Sequence, residues 1–139
     1  MPTYIINLQP INPFNRKPQG IYLRTVGMRA GQMVVDTSSY DKPGALRFYS
    51  NSTAEAMARS LAHCEDAVVE RIDNDPPDPA CVILLDPENG VYLHAAVACP
   101  NGWLTAAGGS QENAMRFANR DAATRLRHLI SGYPNSCIV

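Results

Sequence analysis

The first half of the chain consists of short strand-like segments followed by one helical segment. Residues 20–24 alternate apolar and polar side chains and predict a strand, and a turn ending at Gly31 joins it to a second strand at 31–34 as a hairpin. A further strand is expected at residues 4–8. Residues 45–48 predict another short strand. From residue 51 the period changes, because four apolar residues are spaced at i, i+3, i+4 and i+7. They predict one buried helix face: Ala54, Met57, Ala58 and Leu61.

The same order of segments recurs in the second half of the chain. Three pairs of segments match: residues 20–24 with 90–94, 45–48 with 114–117, and 51–61 with 119–129. The last match aligns Asn51 with Asn119. Within the first copy, Ser52 and Glu55 have the spacing of a capping box at the start of the helix. Strands at residues 4–8 and 81–85 precede the two copies. Matches in one order at near-equal spacing indicate a duplicated structural unit.

The repeat predicts an α+β fold of two pseudo-symmetric β-β-(β)-α repeats, with two antiparallel sheets that are each packed on one helix. The single domain, residues 1–139, then divides into a first repeat at 1–64, an acidic and proline-rich connector at 65–79, and a second repeat at 80–139. A linking strand is expected at 67–72. Because one such unit leaves an apolar face exposed, the two copies are expected to pack on each other.

Residues 111–131 allow two interpretations. The stretch from Gln111 to Leu129 contains no proline or glycine, so one long helix is possible. The repeat instead predicts a strand at 114–117 and a helix from about residue 119. Pro43 and Gly44 exclude the long helix in the first copy, which favours the strand and helix in both.

Composition is that of an ordinary globular protein, with 139 residues, 45% hydrophobic and 18% charged, and a net charge of −1. No apolar run approaches the roughly 18 residues that a membrane span needs, so no membrane partner is expected. The N-terminal residues lack the pattern of a secretion signal. Four widely spaced cysteines are typical of reduced thiols and not of a disulfide framework. A cytoplasmic location is therefore expected.

Charge is unevenly distributed along the chain. Residues 65–90 contain eight acidic residues and one basic residue, whereas residues 1–64 and 91–139 have net charges of +4 and +2. The acidic segment could compete for a basic groove on a partner, or it could be a solvated linker that protects a strand edge. The candidate partner-binding residues share this segment: Asp66, Glu70, Asp73, Asp75 and Asp78.

Arg47 and Arg116 occupy equivalent places in the two copies. Paired arginines near a pseudo-twofold axis could hold a phosphate or a carboxylate through bidentate hydrogen bonds. They could also be solvated outer faces of the strands. Tyr22, Tyr92 and His94 could line the same cleft between the copies, since ligand sites favour such junctions.

Other candidate chemistry is weak. His63 and Glu65 form the H-x-E of zinc deaminases, but the P-C-x-x-C that supplies the other ligands is absent from the sequence. Structural zinc sites use close ligand pairs such as C-x-x-C, which are also absent. The glycines at 108 and 109 lack the frame of a phosphate-binding loop. No cofactor and no metal are expected.

These features favour a non-enzymatic binding or inhibitor protein that acts on a macromolecular partner, expected to be a protein. The size and the preference for arginine over lysine are compatible with a bacterial or bacteriophage regulatory or anti-defence protein. One alternative is a small-ligand binding protein that holds a phosphate- or carboxylate-bearing molecule in the cleft. A small hydrolase or nuclease that uses His94 or His63 is another. The pI of about 6.3 disfavours nucleic acid as a partner.

Overall fold

The computed structural model describes residues 3–73, 81–99 and 102–139. The first half contains β1 (Thr3–Asn7), β2 (Tyr22–Arg29), β3 (Gln32–Ser39), α1 (Asn51–Ser60) and β4 (Val68–Ile72). The second half contains β5 (Ile83–Asp86), β6 (Val91–Ala98), β7 (Leu104–Gly109), α2 (Arg120–Arg127) and β8 (Cys137–Ile138). The 3₁₀ turns Lys42–Gly44 and Gln111–Asn113 each precede an extended segment that leads into the helix.

The two halves have the same sheet topology. The strand orders are β3-β2-β1-β4 and β7-β6-β5-β8, and every neighbouring pair is antiparallel. One helix lies beside each sheet, so the predicted α+β fold of two repeats is confirmed. The strand that follows each helix returns to pair with the first strand of its own sheet. β4 is the linking strand expected at 67–72, whereas β8 has no counterpart among the predicted strands.

A pseudo-twofold axis relates the halves where residues 47 and 116 pair. Arg47 N donates to Arg116 O and Arg116 N donates to Arg47 O, each over 2.9 Å. The next residues form equivalent bridges outward, from Phe48 to Tyr4 and from Phe117 to Cys81. Residues 111–131 therefore form a 3₁₀ turn, an extended segment and α2, as the repeat predicts, and not one long helix.

One large hydrophobic core contains buried residues of both halves, and a smaller cluster lies within the first half. Phe48 from the first half and Phe117 from the second are among the largest fully buried side chains of the large core. α1 packs on β1 and β4 of its own sheet and also on β6, while α2 packs on β8 and also on β2. In this interface the Thr25 hydroxyl donates to the Ala122 carbonyl oxygen over 3.0 Å. Each helix therefore covers part of the other half's sheet as well as its own.

The helix caps correct the register of the sequence match. The Ser50 hydroxyl accepts a hydrogen bond from Thr53 N over 3.2 Å at the start of α1. The Asn119 side chain accepts one from Ala122 N over 2.8 Å at the start of α2. Ser50 and Asn119 are therefore equivalent, so the match of Asn51 with Asn119 is wrong by one residue.

The predicted capping box at Ser52 is wrong for the same reason. Residues 50–53 are all serine, threonine or asparagine, and each of these can cap a helix. The extended segment that ends at Phe48 decides between them, because it leaves Ser50 in the β conformation that a cap residue needs.

The largest departure from the pseudo-symmetry is the connection between the first two strands of each half. β1 and β2 are joined by residues 8–21, which we call the finger, whereas residues 87–90 alone join β5 to β6. Within the predicted connector, residues 68–72 form β4, and residues 74–79, with Asp75 and Asp78, lie outside the described residues.

Candidate binding surfaces

Arg47 and Arg116 lie directly opposite each other at the pseudo-twofold axis. Opposed residues that exchange both backbone hydrogen bonds carry their side chains on the same face of the strand pair. Arg47 is 4% exposed, and its Nη2 donates to the Lys42 carbonyl oxygen over 3.3 Å. Burial, and then the charge of Arg116, lower the pKa of the Arg47 guanidinium. The two guanidinium groups therefore act on each other electrostatically, and two arginine side chains on one face of a strand pair can hold an anion through bidentate hydrogen bonds.

The three aromatic candidates are placed differently around this pair. Tyr22 is 7% exposed and packs with Ile5 and Ala45, so its ring presents little face to a ligand. Tyr92 is partly buried in β6, opposite Gly109 of β7. Of the five predicted ligand-binding residues, the two arginines are the pair that the backbone brings face to face.

His94 is the third aromatic candidate, and it packs between the halves. Its Nε2 lies 2.6 Å from the Gly108 carbonyl oxygen, and because a carbonyl only accepts, Nε2 carries the proton. Its ring and that of Tyr49 pack in a T-shaped arrangement at a centroid distance of 5.2 Å. Met115 N donates to Leu93 O over 2.9 Å, which ties β6 to the segment that carries Arg116.

Two cavities lie at the C-terminal end of α1, away from the arginine pair. The larger one has a volume of about 550 Å³ and the smaller one about 260 Å³. His63, Cys64 and Glu65 line both of them. Neither cavity is lined by any of the five predicted ligand-binding residues.

The H-x-E residues lie where the chain leaves α1 and contribute to the lining of both cavities. His63 adopts a left-handed conformation with φ of 63° as the chain turns away from α1. Burial, and then the charge of Glu65, raise the pKa of the Cys64 thiol. The thiol therefore stays protonated near neutral pH, which makes it a poor nucleophile and a poor metal ligand. Within the described ranges, no three His, Cys, Asp or Glu side chains are grouped closely enough to hold a metal ion.

Ion pairs partly neutralise the acidic segment. Glu70 accepts a hydrogen bond from Asn7 Nδ2 over 2.6 Å, and Lys42 Nζ lies 3.4 Å from its other oxygen. Asp73 accepts from Arg71 Nε over 2.6 Å, and this hydrogen bond raises the pKa of Arg71. Two of the predicted partner-binding acids therefore already contact basic side chains of the same chain.

β4 forms an acidic edge of the first sheet. It is the outermost strand of that sheet, and β1 is its neighbour in the described chain. Glu65 and Asp66 are exposed just before it, and Asp73 is exposed just after it. Val68, at the start of the strand, is 41% exposed. We use the name acidic edge for β4 together with these three acidic residues.

Sequence reasoning did not identify the finger as a candidate surface. Phe14 in the finger is 96% exposed, the highest value among the exposed large hydrophobic residues that the structure describes. The sequence signal for the finger was the difference between the copies in the length of the connection between their first two strands. A comparison of the copies shows only what they share, so it does not point to a segment that one copy lacks. Pro10, Pro13 and Pro18 mark the segment as a stiff loop that the second copy lacks.

The chain matches no family model, and no curated protein or solved structure is significantly similar to it. In the described part of the chain, no helix combines the length and the apolar character that crossing a membrane would require. Inference of function therefore rests on the arginine pair, the acidic edge and the finger.

Proposed function

We propose that this chain is a non-enzymatic binding protein whose acidic edge engages a basic, extended segment of a partner protein. The observation that supports this best is the position of β4 at the outside of its sheet, with exposed carboxylates at both ends. Inhibition of the partner follows if the bound segment is one that the partner needs for its own activity.

The physical basis of the proposal is strand addition. An outermost strand offers backbone N–H and C=O groups to an added extended peptide, and these hydrogen bonds supply affinity. Lysine or arginine side chains of that peptide would meet Glu65 and Asp66, which adds specificity and a faster association rate. Glu70, whose carboxylate contacts Asn7 and Lys42, holds the edge against its own sheet.

The cysteines, and the size and arginine usage of the chain, bear on the cellular location and biological context of such a protein. All four cysteines are free thiols, which supports a cytoplasmic location. A bacterial or bacteriophage regulatory or anti-defence protein remains the biological context that we favour, on the grounds of size and arginine usage.

The test is a quantitative pull-down from a lysate of the source or host cells, with the bound proteins identified by mass spectrometry. The variant Glu65→Lys/Asp66→Lys reverses two exposed charges of the acidic edge, and Glu112→Lys reverses one exposed charge in the second half. We expect a stoichiometric partner that the double variant loses and that Glu112→Lys retains. A partner held equally by all three proteins would show that the acidic edge does not bind it.

A second candidate function, the binding of a small phosphate- or carboxylate-bearing ligand, is favoured by the arginine pair. The backbone places both guanidinium side chains on one face of the strand pair, where they could hold one anion through bidentate hydrogen bonds. We expect inorganic phosphate or succinate to raise the melting temperature of the protein, since a ligand that binds the folded state stabilises it.

The matched variants for this candidate are Arg116→Gln, at the pair, and Arg120→Gln, an exposed arginine at the start of α2. The anion-dependent rise in melting temperature should disappear in Arg116→Gln and persist in Arg120→Gln. An equal response of both variants would remove the arginine pair as the anion site.

A further inference from the structure

The finger stands out into solvent and carries a large apolar side chain at its end. Nine consecutive residues, 10–18, are all exposed except Asn12, which is partly buried. Phe14 is 96% exposed and Ile11 is 52% exposed. The second half replaces this whole segment with residues 87–90, so the sheet topology does not require the finger.

Backbone and side-chain hydrogen bonds give the finger a defined conformation. Asn12 N donates to Lys17 O over 2.9 Å, and Gln19 N donates to Pro10 O over 3.0 Å. The Asn12 side-chain oxygen accepts from Phe14 N over 2.8 Å, which fixes the backbone at the base of the phenyl side chain. A loop that is ordered before binding loses little conformational entropy when a partner binds.

The end of the finger is positively charged. Arg16 and Lys17 are both exposed and follow Phe14 closely in the sequence. The first acidic residue of the chain is Asp36, so no carboxylate within the finger or in the strand that follows offsets these charges. An exposed aromatic ring beside basic side chains has the composition of a binding anchor, since aromatic and arginine residues carry much of the affinity at protein interfaces.

We propose that the finger docks into a partner protein, where Phe14 fills an apolar pocket and Arg16 and Lys17 meet carboxylates at the rim of that pocket. The end of the finger does not include any residue of the acidic edge, which adjoins only the base of the finger at Leu8 and Pro10, and the proposal does not depend on the proposed function. The chain would therefore have two surfaces of opposite charge for contacts with protein.

The charges at the base of the finger favour a protein over a membrane or a nucleic acid. Leu8 and Pro10 share the cavity of about 260 Å³ with the carboxylates Glu65 and Asp66. An anionic bilayer or a phosphate backbone extends over a wide surface, so it would bring negative charge against these carboxylates as well. A protein pocket can receive the end of the finger alone.

The test begins with photo-cross-linking of the full-length chain in a lysate of the source or host cells. The variant Phe14→p-benzoylphenylalanine carries the cross-linker at the end of the finger. Tyr40→p-benzoylphenylalanine is the matched control, because Tyr40 is an aromatic residue that is 81% exposed outside the finger. The protein captured through position 14 is then purified, its cross-linked residues are mapped, and its affinity for the finger variants is measured by calorimetry.

We expect Phe14→Ala to weaken binding at least about 30-fold, or about 2 kcal/mol at 1.4 kcal/mol per tenfold, while Tyr40→Ala leaves the affinity unchanged. Arg16→Glu/Lys17→Glu should slow association about tenfold and reduce its dependence on salt. Because these side chains are exposed, melting temperatures equal to that of the parent chain will show that the variants are folded.

Four results would each overturn the proposal. The first is capture through position 14 at no more than the level of position 40. The second is a cross-linked surface with no apolar pocket or no carboxylate. The third is an affinity that Phe14→Ala does not change. The fourth is Phe14-dependent binding to phosphatidylserine vesicles or to oligo(dT) with no protein partner. Glu65→Lys/Asp66→Lys tests the proposed function separately, since it leaves the end of the finger intact.

Discussion

The turn between β2 and β3 places Ala30 in the left-handed region, with φ of 52°, followed by Gly31 with φ of 77°. Arg29 pairs with Gln32 across this turn, so the hairpin loop has two residues and both have positive φ, as in a type I′ turn. Glycine and asparagine adopt this conformation readily, whereas the alanine Cβ approaches the following carbonyl oxygen. Ala30 therefore stores a small amount of backbone strain.

Replacement of this alanine by asparagine should relieve the strain. We expect Ala30→Asn to raise the free energy of unfolding by roughly 0.5–1 kcal/mol, as measured by urea denaturation. The same substitution at Ala56, an exposed residue inside α1, should lower it by about 0.6 kcal/mol because asparagine is a poorer helix former. A loss of stability in both variants would contradict the type I′ turn.

Asp86 is a second residue with a clear local function, because it holds the turn between β5 and β6. Its Oδ2 accepts a hydrogen bond from Asn89 Nδ2 over 2.7 Å, and its Oδ1 accepts from Glu88 N over 3.1 Å. The side-chain hydrogen bond from Asn89 is the main cause that lowers the pKa of Asp86, although partial desolvation opposes it. The ionised carboxylate is therefore the form that stabilises the folded state.

Stability should consequently depend on pH through this carboxylate. Because the pKa is lower in the folded state, the stabilisation is complete above the unfolded Asp pKa of about 3.9 and is lost as pH falls through the folded value. We expect Asp86→Ala to be less stable than the parent chain at pH 7, with a difference that narrows below pH of about 4. Parallel urea titrations with Glu112→Ala as the control will check this, and a pH-independent difference would be the contrary result.

At the scale of elements, each helix start depends on one cap side chain, Asn119 in α2, which the repeat match includes, and Ser50 in α1, which it does not. Ser50 lies in an extended conformation, and its hydroxyl accepts from the backbone of Thr53. Ser52, the residue with capping-box spacing, is exposed in the first turn of α1 and does not occupy the cap position. A hydroxyl at the cap satisfies a backbone N–H that has no partner within the helix.

Alanine substitutions distinguish these two serines. We expect Ser50→Ala to lower the free energy of unfolding by about 1 kcal/mol, as loss of an N-cap does. Ser52→Ala should change it by less than about 0.5 kcal/mol, as is usual for exposed positions. Thermal and urea unfolding of the two variants will check the difference, and a larger loss for Ser52→Ala would restore the capping box.

The elements that the sequence predicted well are those with a repeated apolar pattern. The extended segments at 45–48 and 114–117 were predictable because the same short block recurs in both copies, and because Pro43 and Gly44 exclude a long helix in the first copy. The cap of α1 could not be predicted, because the adjacent serines and asparagine have an equal preference for the N-cap position. β8 could not be predicted because its two residues, Cys137–Ile138, are too few to show a period.

The candidate surfaces were less predictable than the elements. Equivalence in the repeat identified Arg47 and Arg116 as a pair, and the structure places them opposite each other. The burial of these side chains, and that of Tyr22 in the core, depends on three-dimensional packing, which leaves no pattern in the local sequence. The exposure of Phe14 is of the same kind, since an aromatic residue in a loop is as often packed as exposed.

At the scale of the whole molecule, the repeat describes the topology of each half, but one repeat is not expected to be stable on its own. α1 packs on β6 and α2 packs on β2, so each sheet is covered in part by a helix from the other half. Backbone hydrogen bonds between Arg47 and Arg116 also join the two halves. A half of the chain on its own would expose much of the apolar surface that its partner buries, at a size where stability is already marginal.

The halves should therefore be unable to fold alone but able to fold together. For fragments 1–76 and 77–139, which divide the chain between β4 and β5, we expect no cooperative unfolding transition in either one. An equimolar mixture should regain the near-ultraviolet circular dichroism of the intact chain and show a single transition whose midpoint rises with concentration. Thr25→Val in the first fragment, which removes the hydroxyl that bonds the Ala122 carbonyl oxygen, should weaken reassembly, whereas Thr25→Ser should not. A cooperative transition in either isolated fragment would show that a single repeat contains a sufficient core, and that the cross-packed helices add contacts without being required for folding.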